Sequence, residues 1–188
     1  VDGVMKKSSN IGTAKIINKY YGENPKAFFK KMDKWHMTSP LGVDILGEGS
    51  PIMHRPDSKS WSNITLPVMG YGYGLQLTPI QIVTFYNAVA NNGKMLKQLF
   101  MDKITSKGEP DKVFEPVVLV DQLTSLENVK QMQEMLRGAV EQGTGRIISN
   151  SNYDIAGKTG TARVDYWKRD GKGMQYRASF AGYFPAEK

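Results

Sequence analysis

Residues 154–164 read DIAGKTGTARV, a strand-like run whose two sides are unequal. Side chains alternate along a strand, so Ala156, Lys158, Gly160 and Ala162 share one face and Thr159, Thr161 and Arg163 the other. The first face is small apart from one lysine, so another element must come close to it, and a helix is the expected cover. Residues 176–184 have the same strand character. The polar stretch DYWKRDGKGMQ joins the two runs, which predicts an antiparallel hairpin near the end of the chain. In that setting Lys158 is partly buried, with its ammonium reaching around the strand edge. Desolvation disfavours the charge unless a partner or an anionic ligand meets it. Thr159 and Thr161 beside the ammonium would form a carboxylate clamp, and the backbone amides at Gly160 and Thr161 could donate to a developing oxyanion. The plainer alternative is an exposed edge strand with a solvated lysine.

The rest of the chain carries helix signals. Residues 11–21 predict a helix ending at Gly22. Asn24 is expected to cap a second helix with Pro25 in its first turn and Phe28, Phe29, Met32 and Trp35 on its apolar face. Residues 38–66, rich in Gly, Pro and Ser, predict a long irregular connection. TPIQIVTFYNAVANNG is the clearest helix: Thr78 at the N-cap, Pro79 next, Gln81 as the capping-box partner, and a stripe of Ile80, Val83, Tyr86 and Ala90 before Gly93. Short strands are expected around a turn at 108–110. Thr124 and Glu127 predict a further capping box, opening a helix with Val129, Met132, Leu136 and Val140 on one face and GTG at its end.

Composition narrows the chemistry. The chain is 188 residues long with 40% hydrophobic and 23% charged residues, which is globular rather than disordered. It has no cysteine, so thiolate catalysis and disulfides are excluded. His36 and His54 stand in no metal-ligand spacing, and GYGYG at 70–74 lacks the Gly-Lys-Ser/Thr that a phosphate loop requires. No metal or cofactor is expected. The formal net charge of +7 suits anionic partners: nucleic acid, phospholipid or carboxylate-bearing substrates. A nucleic-acid surface needs aromatics interleaved with basic residues, and only Tyr166, Trp167, Lys168 and Arg169 offer that, so nucleic acid is not the expected partner. Tyr166 and Trp167 are expected either to border a substrate groove or to cap the core at the sheet's end.

Ser8, Ser9 and Asn10 stand just before the first helix, where Ser and Asn serve as caps. A Ser-x-Asn at a helix start, followed far along by Lys-Thr-Gly on a late strand, is also a known pairing of penicillin-binding proteins and serine β-lactamases. The segments SSNIG, GYGYGLQLTPIQIVTFYNAVANNG, AVEQGTGR, AGKTGTA and SFAGYFP together resemble the monofunctional (class B) penicillin-binding proteins over almost the whole chain. The resemblance implies a peptidoglycan D,D-transpeptidase with a mixed α/β fold, an antiparallel sheet flanked by helices; these residues would be mainly helical plus the C-terminal hairpin. It implies stem peptides ending in D-Ala-D-Ala as substrate, an acyl-serine intermediate, and β-lactam inhibition. Ser8 would shuttle a proton toward the leaving group and hydrogen-bond the catalytic lysine of the family's Ser-x-x-Lys motif. Asn10 would hold that lysine and the substrate amide. Lys158 would set the field, Thr159 and Thr161 would hold the terminal carboxylate, the Thr161 N–H would form half of the oxyanion hole, and Gly160 would let the substrate strand lie alongside.

One departure matters. The family's nucleophile motif is Ser-x-x-Lys, and no serine here has a lysine three positions later. The expectation is that residues 1–188 form an internal to C-terminal part of one transpeptidase domain, chemically silent alone, with the nucleophile upstream of Val1. Missing strands would leave an exposed sheet edge and apolar faces. The resemblance further implies an extracytoplasmic, periplasmic site of action on an N-terminal anchor outside these residues, with membrane proteins of division or elongation as partners. A serine β-lactamase, a D,D-carboxypeptidase or a penicillin-sensing receptor domain are the alternatives.

Overall fold

In the computed structural model, residues 1–150, 152–164 and 173–186 are described. Lys6 ends a first short helix, α1 (Asp2–Lys6), and Ser9 then caps α2 (Asn10–Tyr21) by accepting a hydrogen bond from the Gly12 N–H at 3.1 Å. Helix α3 (Pro25–Lys34) begins at the expected proline and buries Phe29, but the Asn24 side chain makes no capping hydrogen bond. The Ala27 N–H, which a capping side chain would meet, is taken by the Asn24 backbone carbonyl at 3.0 Å, and proline's fixed φ suits the first turn.

The 38–66 connection is largely irregular, as its composition predicts. It holds only β1 (Ile52–Met53) and the start of α4 (Thr65–Met69). Glu48 organises it: one carboxylate accepts the backbone N–H groups of Leu41, Gly42 and Val43 at 2.5, 2.8 and 3.1 Å. Strand β1 pairs antiparallel with β2 (Leu75–Gln76), a contact between short segments that no periodicity foretells.

Helix α5 (Pro79–Ala90) has the full capping box, Thr78 and Gln81 bonding reciprocally. Its buried face differs from the expected stripe. Gln81, Thr84, Ala88 and Val89 are buried, whereas Val83 is 54% exposed. The helix is apolar nearly all round, so the pattern alone does not select a face. Partners for the polar groups do: Gln81 Nε2 donates to the His36 and Ser39 carbonyls at 3.1 and 3.0 Å, and Thr84 Oγ1 accepts from Gln98 at 3.3 Å. Buried polar groups that are satisfied in this way carry little penalty.

Strands β3 (Met95–Leu96) and β6 (Val118–Val120) pair, and β4 (Lys103–Ile104) and β5 (Lys112–Val113) form the expected small hairpin. Helix α6 (Leu126–Glu141) is capped by Ser125, whose side chain accepts from the Asn128 N–H, not by the expected box of Thr124 and Glu127. The cap lies one residue later; Thr124 Oγ1 instead accepts from the Asn128 side chain at 3.2 Å. The predicted face of α6 holds, with Val129, Leu136 and Val140 buried.

Strands β7 (Ala156–Val164) and β8 (Gln175–Tyr183) pair antiparallel with Lys158 opposite Ala181 and Gly160 opposite Ser179. The small face is indeed covered at one end: Ala156 is fully buried in a core with Leu136 of α6, Ala88 and Val89 of α5, and Met95. The cover stops short of Ala162, which is exposed. The result is a mixed α/β fold whose sheets, among the described residues, are antiparallel pairs. The loop with Tyr166, Trp167, Lys168 and Arg169 lies outside the described residues, as do the expectations attached to it.

Candidate active site

The two serines before α2 divide the work. Ser9 is the helix cap, and Ser8 sits in a left-handed backbone conformation, φ 49°, at the end of α1. Such a φ is unfavourable for a residue with a Cβ and persists only where the surroundings impose it. Its effect is to aim Ser8 at the sheet: Lys158 Nζ donates to Ser8 Oγ at 2.9 Å across 150 residues of sequence.

Lys158 has further partners. Its ammonium lies 3.2 Å from Thr144 Oγ1, 3.0 Å from the Thr159 carbonyl oxygen and 3.3 Å from Thr159 Oγ1. Thr159 belongs to the opposite face of β7, so the lysine does curl around the strand edge as its sequence position predicts. The cation has hydroxyl and carbonyl acceptors but, among the described residues, no carboxylate partner. Burial lowers its proton affinity below the ordinary lysine range. A half-buried cation ringed by neutral oxygens is a place prepared for an anion.

The edge of β7 also presents backbone donors. Peptide groups alternate sides along a strand. The Thr159 carbonyl meets Lys158 off the edge, and the Arg163 N–H donates to Tyr73 Oη at 2.9 Å on the same side. The Thr161 N–H, midway between them, therefore points off that edge too. Gly72 and Gly74 both have positive φ, 95° and 71°, and turn the chain so that Tyr73 lies against the strand. Gly160 has an internal reason to be glycine as well: a Cβ there would approach Ser179 Oγ to 2.6 Å.

Asn10 is not drawn into the cluster. It opens α2, is exposed, and makes no side-chain hydrogen bond to Ser8 or Lys158; it lies at the rim of a hollow with Ile11, Ala14 and Tyr71. Thr144 and Tyr73 are the residues that sequence reasoning missed, although both fall inside quoted segments, GTG and GYGYG. Beside Lys158, a largely apolar hollow of about 890 Å³ opens between α5 and the hairpin, walled by Ile82, Val83, Tyr86, Phe180 and Tyr183. Among the described residues no three His, Cys, Asp or Glu side chains cluster as metal ligands would. Nor is any described helix long and apolar enough to cross a membrane.

The family model described as penicillin binding protein transpeptidase domain matches residues 1–188. Penicillin-binding protein PbpB of Mycobacterium tuberculosis is 29% identical over 168 residues, which is 86% of this chain and 24% of that protein. The probable peptidoglycan D,D-transpeptidase PbpC of Pseudomonas aeruginosa is 28% identical over 98% of this chain and 30% of its own length. The chain thus spans under a third of these relatives. Among solved structures, penicillin binding protein 3 from Mycobacterium tuberculosis, complexed with ampicillin, superposes with a TM-score of 0.81 at 27% identity, covering 97% of this chain and 41% of that one. The transpeptidase domain of penicillin-binding protein 3 from Burkholderia pseudomallei gives 0.71 at 28% identity, covering 96% and 50%.

Proposed function

The chain belongs to the penicillin-binding protein transpeptidase domain family, in its class B branch, and from that premise we propose that its parent protein cross-links peptidoglycan by acyl transfer through a serine ester. The observation that carries the reading is the Lys158 ammonium, held by Ser8, Thr144 and Thr159 at an open strand edge. The substrate is a stem peptide ending in D-Ala-D-Ala. Its terminal carboxylate sits against Lys158, Thr159 and Thr161. The scissile carbonyl then lies along the β7 edge, where the Thr161 N–H stabilises the oxyanion of the tetrahedral intermediate.

The nucleophile is a serine outside residues 1–188, since no serine here has a lysine at the third position after it. Its attack expels the terminal D-Ala, whose nitrogen must gain a proton as the C–N bond breaks. Ser8 Oγ, fed by Lys158, is the group that delivers it. Asn10 contributes at the rim, towards the amide of the bound peptide. An amine of a second stem peptide then takes the acyl group and frees the serine. A β-lactam follows the first half of this course and stops at the ester. The site of action is the extracytoplasmic face of the inner membrane, on an anchor outside these residues, among the membrane proteins of division or elongation.

The test uses the full-length protein and a fluorescent penicillin. The expected result is one labelled serine, mapped by peptide mass spectrometry to a Ser-x-x-Lys outside residues 1–188. Label on any serine within 1–188, or none at all, would remove the proposal.

A further inference from the structure

We infer that Thr144 is a positioning residue of the anion clamp, turning the Thr159 hydroxyl proton outward to a bound carboxylate. The inference rests on the acyl-transfer reading above and specifies how its substrate is held. An ammonium can only donate, so Lys158 donates to Thr144 Oγ1 at 3.2 Å and the Thr144 proton must go elsewhere. Thr159 Oγ1 lies 2.7 Å away, the shortest contact of the cluster. One of the two hydroxyls donates to the other. When Thr144 donates, Thr159 Oγ1 receives that proton and, at 3.3 Å, a share of one of the three Lys158 N–H groups, which is split between two acceptors. Its lone pairs are then engaged, and its own O–H is left to point away from both donors. A hydroxyl in that state offers only a proton, and an anion in the cleft selects it. Lys158 to Thr144 to Thr159 to carboxylate then forms a chain of donors in one sense, each bond polarising the next.

Thr144 is fixed independently of the lysine. Its N–H donates to the Lys6 carbonyl at 3.2 Å, and the Gly145 N–H donates to the Ala139 carbonyl at 3.0 Å. A Cβ at Gly143 would come within 2.6 Å of the Lys6 oxygen, so the turn after α6 is pressed against the end of α1. That same end of α1 leads into Ser8. The turn therefore ties the element bearing Ser8 to the strand bearing Lys158, with a hydroxyl at the junction. Threonine suits the post, because its β-branch restricts χ1 where serine would rotate more freely.

The test measures acylation of the full-length protein by benzylpenicillin, which carries a free carboxylate, and by its methyl ester. The wild-type protein is expected to favour the acid. Thr144→Val should slow the acid by about ten- to a hundredfold, the loss of a hydrogen bond supporting a charged group, and leave the ester nearly unchanged. Thr144→Ser should restore most of the preference for the acid. Equal slowing of acid and ester, no slowing of either, or no recovery in Thr144→Ser would overturn the assignment. A wild-type protein that neither compound acylates would instead bring down the acyl-transfer reading, and this assignment with it.

Discussion

The two helices that pack on the β7–β8 hairpin meet it in opposite ways. Against α6 the contact is finished: Ala156 is fully buried, Leu136 and Val140 are nearly so, and the turn beyond the helix ends in hydrogen bonds to α1 and to the site. Against α5 the contact is closed only where Ala88 and Val89 join the core around Ala156, and it opens beyond them. Val83 is half exposed, Phe180 is 42% exposed, and a hollow of about 890 Å³ lies between that part of the helix and the sheet. The closed side carries Thr144 and the Ser8 contact of Lys158, and the open side is walled largely by apolar residues, with Lys158 at its margin.

The contrast predicts unequal costs for similar deletions. In the 188-residue chain, Leu136→Ala should destabilise by about 2–5 kcal/mol, the range for removing a buried leucine from a packed core. Val83→Ala, a comparable truncation on the open wall, should stay within about 0.5 kcal/mol. Chemical denaturation of both variants checks this, and equal costs would erase the distinction.

A smaller effect sharpens the same contrast from within the hollow. The Tyr183 phenolic oxygen is buried without a hydrogen-bond partner among the described residues. Burial, helped by nearby Tyr86, pushes its pKa up to about 12 from an ordinary value of 10.0. The folded chain therefore holds a proton that the unfolded chain gives up between those values, and stability falls as pH rises through the window. Tyr183→Phe should leave stability unchanged or slightly raised at neutral pH and flatten the decline between about pH 10 and 12. In melting curves, a clear loss at neutral pH would mean that the hydroxyl has a partner and that the wall is not purely apolar.

What was legible in the sequence follows the range of the forces involved. The Thr78, Pro79 and Gln81 box depends on neighbours three residues apart, and the hairpin on two strand-like runs joined by one polar stretch; both stand where the pattern puts them. The buried face of α5 was not legible, because an all-round apolar helix takes its orientation from carbonyls at His36 and Ser39. The α6 cap was missed by one position, since Thr124 and Ser125 are both acceptable caps and only the backbone decides between them. Lys158 and Ser8 could be named from motif spacing. Thr144 could not, because its role arises from a turn pressed between α1 and β7, and tertiary contact of that kind leaves no local signature. Asn10 was named from the same spacing for a lysine and a substrate amide that lie outside these residues, and it opens α2 with its side chain exposed.

Whether Lys158 is the field-setting cation of an acyl-transfer site is read from the acylation rate of full-length Lys158→Ala by a β-lactam. The rate should fall on the order of a hundred- to a thousandfold, with the thermal midpoint little changed. An unchanged rate would show that Lys158 does not set the field, and a variant that no longer folds would show instead that the lysine is there to hold the strand edge together.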